Sequence, residues 1–121
     1  YYTARWRGQN RQCLGVAASK SARGPFVDTS TEPFLCQVEL GGSIDAHPFR
    51  DRDGQLYVYW KADGNHIGQR SRIWGAKLTP DGRRLAGQPV DVGLTDEDDW
   101  EQRVIEAPTM IRTPEGLVML Y

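Results

Sequence analysis

Apolar and aromatic residues occur along the chain in short runs, separated by glycine, proline and charged residues. The runs are six to nine residues long and predict strands over residues 11–19, 55–61, 71–79, 107–112 and 116–121. They contain many Val, Ile, Thr, Tyr and Trp residues, which favour strands. No long segment has the spacing of an amphipathic helix. The pattern therefore predicts an all-β protein.

Two Asp-Gly pairs mark the predicted turns. Asp53-Gly54 precedes the run at 55–61, and Asp81-Gly82 follows the run at 71–79. Asp-Gly next to an apolar run is a strong hairpin signal, because glycine accepts the positive φ that tight turns require. Consecutive strands are therefore expected to pair in antiparallel fashion.

Two segments of the chain share one pattern. "SIDAHPFRDRDGQLYVYW" (43–60) aligns with "VIEAPTMIRTPEGLVMLY" (104–121) at offsets of 60 to 62 residues. Residues 14–19 also resemble residues 74–79 at an offset of 60. The sequence therefore contains a repeating unit of about 60 residues with about four strands.

A repeated four-stranded unit is typical of a β-propeller blade. The chain, residues 1–121, would hold one full blade flanked by parts of two others. Both ends interrupt a strand pattern, so we expect a piece of a longer protein. Its open sheet edges would be covered by the remaining blades or by other copies of the chain. A small β-sandwich with coincidental internal similarity is the alternative.

The repeat places two carboxylates, Asp45 and Glu106, at equivalent positions. The innermost strands of a propeller line its central channel, so both side chains are expected to converge there. Apolar neighbours, Ile44, Ile105 and Ala107, are expected to desolvate the acids. Two carboxylates with different protonation states suit the acid/base cleavage of a glycosidic bond. In the alternative interpretation, each acid only binds nearby backbone.

Composition narrows the classes of partner. The formal net charge is −1 and no Lys/Arg-rich block is present, which argues against nucleic acid and membrane partners. The sequence has no metal-binding or cofactor-binding motif, so neither a metal nor a cofactor is predicted. No secretory leader pattern is found, and the location, extracellular or cytoplasmic, stays open.

The two cysteines, Cys13 and Cys36, allow two interpretations. They could form a disulfide in a secreted enzyme. They could also be two small buried residues of a reduced protein.

The stretches "GGSIDAHPFRDRDGQLYVYWKADGN", "WEQRVIEAPTMIRTPEGLVMLY" and "CLGVAASKSARGPFVD" resemble glycoside hydrolase family 43. The resemblance covers nearly the whole chain. It implies a five-bladed β-propeller that acts on arabinose- and xylose-containing polysaccharides with inversion of configuration. The first motif also occurs in related propeller families that cleave fructosides, whereas the combination with "IEAP" is more specific.

The resemblance also implies roles for the two acids. Glu106 in "IEAP" would be the general acid, and Asp45 in "SIDAHPF" would orient it and tune its pKa. The family's general base, an aspartate of the first blade, would precede Tyr1. A histidine near the channel centre would belong to a later blade. The isolated chain is therefore expected to be inactive.

Weaker candidates for substrate binding are aromatic residues and one histidine. Trp74 and Trp100 could stack on sugars, although such residues more often belong to the core. His47 could support Asp45 or contact substrate, but packing or solvent exposure is more common for a lone histidine. The acidic run at 96–100 could attract a cation, but such runs are usually solvated loops.

Two other classes of function remain open. The protein could be a carbohydrate-binding or scaffold propeller without turnover, or a protein-interaction propeller. An aspartate at the position matching Asp45, one blade upstream, would favour the enzyme.

Overall fold

The computed structural model describes residues 1–94 and 101–121, and its regular elements are nearly all strands. The strands are β1 (Tyr2–Trp6), β2 (Arg11–Gly15), β3 (Ser43–Arg50), β4 (Leu56–Ala62), β5 (Arg72–Lys77), β6 (Val90–Asp91), β7 (Thr109–Thr113) and β8 (Gly116–Leu120). Two 3-10 turns lie at Val38–Leu40 and Gly64–Ile67. The predicted all-β class is confirmed. The described residues contain no helix long and apolar enough to cross a bilayer.

The strands form three antiparallel sheets in chain order. β1 pairs with β2, β3 to β6 form a sheet in the order β3-β4-β5-β6, and β7 pairs with β8. The turn at Asp53-Gly54 joins β3 to β4, with Phe49 opposite Tyr57. Within each sheet, every strand pairs with the next strand along the chain, as in the blades of a propeller.

Some predicted strand boundaries differ from those observed. The run at 11–19 ends as a strand at Gly15, where a side chain would overlap the ring of Tyr2. The run at 107–112 becomes a strand only at Thr109. Ala107 has φ +53°, outside the extended region, and Pro108 lacks the N–H that a ladder needs.

The hydrophobic core lies between β2 and one face of the four-stranded sheet. Its buried members are Leu14, Val58, Trp60, Ala76 and Leu78. Side chains alternate along β4, so Val58 and Trp60 face this core whereas Lys61 faces the opposite side. The indole Nε1 of Trp60 donates a 2.7 Å hydrogen bond to Gln37, so its polar atom is satisfied inside the core.

The β7–β8 hairpin meets the other side of the sheet through polar groups. His47 Nε2 of β3 lies 3.3 Å from the carbonyl oxygen of Met110. Arg112 forms an ion pair with Asp51. The backbone N–H of Arg52 and the Arg112 guanidinium hold the pKa of Asp51 below its usual value. These contacts fix the position of β7 beside β3.

Two glycines allow the start of β3 to approach two other segments closely. Gly41 and Gly42 have φ of +92° and +117°. A Cβ on Gly41 would overlap the carbonyl of Asp63, and one on Gly42 would overlap the carbonyl of Gln12. The Asp63 N–H donates to the Gly42 carbonyl at 3.2 Å. Asp63 is thereby held at the end of β4.

Cys13 and Cys36 are joined by a disulfide, with their Cα atoms 4.9 Å apart. This decides between the two interpretations of the cysteines. The bond ties β2 to the segment that precedes the first 3-10 turn, beside the mutual backbone hydrogen bonds of Leu14 and Leu35.

We predict that the double substitution Cys13→Ser, Cys36→Ser lowers the free energy of unfolding by about 3 kcal/mol, because the cross-link closes a long loop. Urea denaturation with and without reductant measures this. Reductant should destabilise the wild type to the level of the variant and leave the variant unchanged. Equal midpoints for the oxidised wild type and the variant would contradict the prediction.

Gly41→Ala should destabilise the protein more than Gly54→Ala does. Both glycines have positive φ, but a Cβ on Gly54 meets no atom within 4 Å. Gly54→Ala should lower the free energy of unfolding by about 1 kcal/mol, because alanine is strained in a left-handed backbone. Gly41→Ala should cost a further 1–3 kcal/mol or so from overlap with the Asp63 carbonyl. Similar unfolding midpoints for the two variants would show that the close approach is unimportant.

Candidate active site

Glu106 lies on an irregular segment that is anchored on both sides. The Ile105 N–H donates to the Ser71 hydroxyl at 2.8 Å, and the Ser71 N–H donates to the Arg103 carbonyl at 3.4 Å. The side chains of Ile105 and Pro108 are buried. The backbone around Glu106 is therefore fixed from both directions although it belongs to no strand.

The carboxylate of Glu106 is not enclosed by its apolar neighbours. Its side chain is 59% exposed, and Oε2 accepts a hydrogen bond from Lys61 Nζ at 2.9 Å. The expectation that Ile105 and Ala107 desolvate Glu106 is wrong. Ile105 turns into the protein, and a neighbour in sequence that points the other way does not shield a side chain from water.

Lys61 is the buried member of this site, with only 2% of its side chain exposed. Its ammonium group lies 3.2 Å from Asp63 Oδ1 as well as 2.9 Å from Glu106 Oε2. A buried charge is tolerated when it is paired in this way. Lys61 is not among the site residues that the sequence predicts. The sequence feature that could have indicated Lys61 is the same one that indicated Glu106: a charged residue inside an apolar run. For Lys61 that run is "YVYWKA".

Asp45 contacts the segment that carries Glu106. Its Oδ2 accepts the backbone N–H of Ala107 at 3.2 Å. Asp45 has φ +56° and lies where the β3–β4 pairing shifts between Ile44 and His47. Such a bulge redirects a side chain out of the regular alternation. The structure thus brings the two predicted acids to one place, where Asp45 holds the backbone next to Glu106.

Those weaker candidates for substrate binding that the structure describes lie in different surroundings from Glu106. His47 binds the Met110 carbonyl and so joins β3 to β7. Trp74 packs against the core cluster and pairs across the sheet with Trp60, on the face opposite Lys61. This placement does not favour sugar stacking by Trp74. Trp100 and the acidic run at 96–100 lie outside the described residues.

The chemistry available here is proton transfer. Glu106 presents a carboxylate to solvent from a fixed backbone, and Asp45 and Lys61 hold that backbone and that carboxylate. Within residues 1–94 and 101–121, no group of three or more His, Cys, Asp or Glu side chains is arranged to bind a metal ion.

Comparisons with known proteins bear on the family and the fold of the chain. The sequence matches the family described as "Glycosyl hydrolases family 43" over residues 1–121. A solved structure, the crystal structure of a thermostable family-43 glycoside hydrolase, is similar with a TM-score of 0.78 and 28% sequence identity. The match covers 97% of this chain and 39% of that chain. No curated protein matches the sequence. Because the family match extends over every residue, the chain belongs to glycosyl hydrolases family 43.

Proposed function

We propose that the protein containing this chain is a glycoside hydrolase. It cleaves O-glycosidic bonds of arabinose- or xylose-containing plant polysaccharides with inversion of configuration. The observation that carries the proposal is the geometry of Glu106, an exposed carboxylate on an anchored backbone, next to the carboxylate of Asp45. Family membership supports the general activity. The choice of sugar rests on the resemblance of the motifs.

In the proposed reaction Glu106 acts as general acid. Its carboxyl group gives a proton to the glycosidic oxygen while the bond from that oxygen to the anomeric carbon breaks. A water molecule attacks the opposite face of the sugar and loses its proton to a base. Asp45 orients Glu106 through the Ala107 N–H. The base is proposed to come from outside these 121 residues, which span 39% of the length of the solved relative.

A non-catalytic carbohydrate-binding propeller is the second candidate. The ion pair between Lys61 and Glu106 favours it, because such a pair can serve only to hold the segment before β7 against β4. The two candidates differ at the position that matches Asp45 one blade upstream. An aspartate there supports the hydrolase, and any other residue supports binding alone.

We predict that Glu106→Gln in the complete protein lowers kcat/KM on arabino- or xylo-oligosaccharides by about 10²–10⁴-fold, because the glutamine amide cannot donate the proton. The loss on 4-nitrophenyl arabinofuranoside and xyloside should be smaller, because nitrophenolate leaves without protonation. Steady-state kinetics on both substrate types measure the difference.

Glu115→Gln is the matched control, because Glu115 is an exposed acid in the turn before β8. It should retain wild-type rates on every substrate. Equal losses on oligosaccharides and nitrophenyl glycosides for Glu106→Gln would argue against a general acid at this position.

The 121-residue chain expressed alone should not hydrolyse nitrophenyl arabinofuranoside or xyloside, because it is proposed to lack the base. The assay is release of nitrophenol, with the complete protein as the positive control. Circular dichroism should first show that the chain retains β structure. Robust turnover by the chain would place the base among these residues.

A further inference from the structure

We propose that Lys61 is a positioning residue for Glu106, and that the Lys61–Asp63 pair sets the pH range in which Glu106 carries a proton. This inference rests on the proposed role of Glu106 as the acid. It assigns a function to a buried lysine that the proposed reaction otherwise leaves unused.

The first observation is the difference in exposure among the three charged groups. The side chains of Lys61 and Asp63 are 2% and 12% exposed, whereas that of Glu106 is 59% exposed. Asp63 is held by the hydrogen bond between its N–H and the Gly42 carbonyl. Lys61 and Asp63 therefore form the fixed, water-excluded part of the cluster, and Glu106 is the member that exchanges protons with solvent or substrate.

The second observation is how the charges balance. When all three groups are ionised, the cluster has a net charge of −1, and protonation of Glu106 makes it neutral. Lys61 then still has Asp63 at 3.2 Å, so no ammonium is left buried without a partner. Asp63 thus allows Glu106 to pass between its charged and neutral forms without disrupting the site.

The third observation concerns which oxygen of the Glu106 carboxyl group carries the proton. Lys61 binds Oε2 of Glu106, so the proton to be donated belongs on Oε1. The carboxyl is also held through its backbone, because Asp45 binds the next N–H along the chain. Lys61 and Asp45 together limit the orientations that Glu106 can adopt.

Other titratable and charged groups lie on β3 and β7, the elements next to Glu106. On β3, Asp45 accepts the backbone N–H of Ala107 and His47 binds the Met110 carbonyl. Arg112 of β7 is paired with Asp51. Lys61, on β4, contacts the Glu106 carboxylate directly.

The test compares Lys61→Met with Asp63→Asn in the complete protein, using the pH dependence of kcat/KM. Methionine fills similar space without a charge, so in Lys61→Met no cation favours the ionised form of Glu106. The alkaline limb of the pH profile of kcat/KM should therefore move to higher pH by about one unit or more. Asp63→Asn leaves the lysine charge unopposed, so the same limb should move to lower pH. Opposite displacements are not expected from a general loss of structure.

Lys77→Met is the control, because Lys77 is an exposed lysine on the neighbouring strand β5. Its pH profile should match the wild type. The proposal is overturned if Lys61→Met lowers the rate equally at every pH, or if both cluster variants move the limb in the same direction.

A second measurement separates this inference from the proposed function. The side-chain carboxyl signal of Glu106 can be followed by ¹³C NMR during a pH titration and assigned by its loss in Glu106→Gln. Its midpoint should rise in Lys61→Met and fall in Asp63→Asn, even if no protein in the series hydrolyses a glycoside. Absence of activity would then reject the hydrolase alone, whereas unchanged midpoints would reject the role of Lys61.

Discussion

An ammonium group that water does not reach must be neutralised by neighbouring groups, and this constraint on Lys61 organises the site. Asp63, two residues further along the same chain segment, supplies one partner, and Glu106 from the segment before β7 supplies the other. The second partner can be in place only when the β7–β8 hairpin lies beside β3. The pairing of Lys61 therefore depends both on where the β7–β8 sheet lies relative to the four-stranded sheet and on where Glu106 lies.

The two sides of the four-stranded sheet differ in how many polar contacts they make with neighbouring segments. On one side Trp60 and its apolar neighbours pack against Leu14 of β2 and are buried. On the other side Ile73 is also buried, and polar contacts join His47 to Met110 and Lys61 to Glu106. Apolar burial stabilises without specifying orientation, whereas hydrogen bonds and ion pairs specify which atoms meet. The side with these polar contacts is the one that carries the carboxylates, and proton transfer depends on their orientation.

The two matching motifs use their common pattern differently. In the first motif the left-handed residue is the acid itself, Asp45, within a strand. In the second it is Ala107, one residue after the acid, and the strand begins only at Thr109. Moving the left-handed position by one residue changes where the carboxylate points. Asp45 is directed at a backbone N–H of the neighbouring segment, and Glu106 is directed at solvent and at Lys61.

Local patterns in the sequence determined the all-β class, the hairpin turn at Asp53-Gly54 and the two acids at matching positions, because strand alternation and turn preferences depend on residues close together in the chain. Other features were decided by contacts between distant segments. The ion pair that Glu106 forms with Lys61 joins residues 45 positions apart, and the disulfide joins residues 23 positions apart. Apolar neighbours in sequence suggested a buried acid, but burial depends on which surface packs against a side chain. Only the tertiary structure, by bringing β7 against β3, left the acid in solvent and enclosed the lysine.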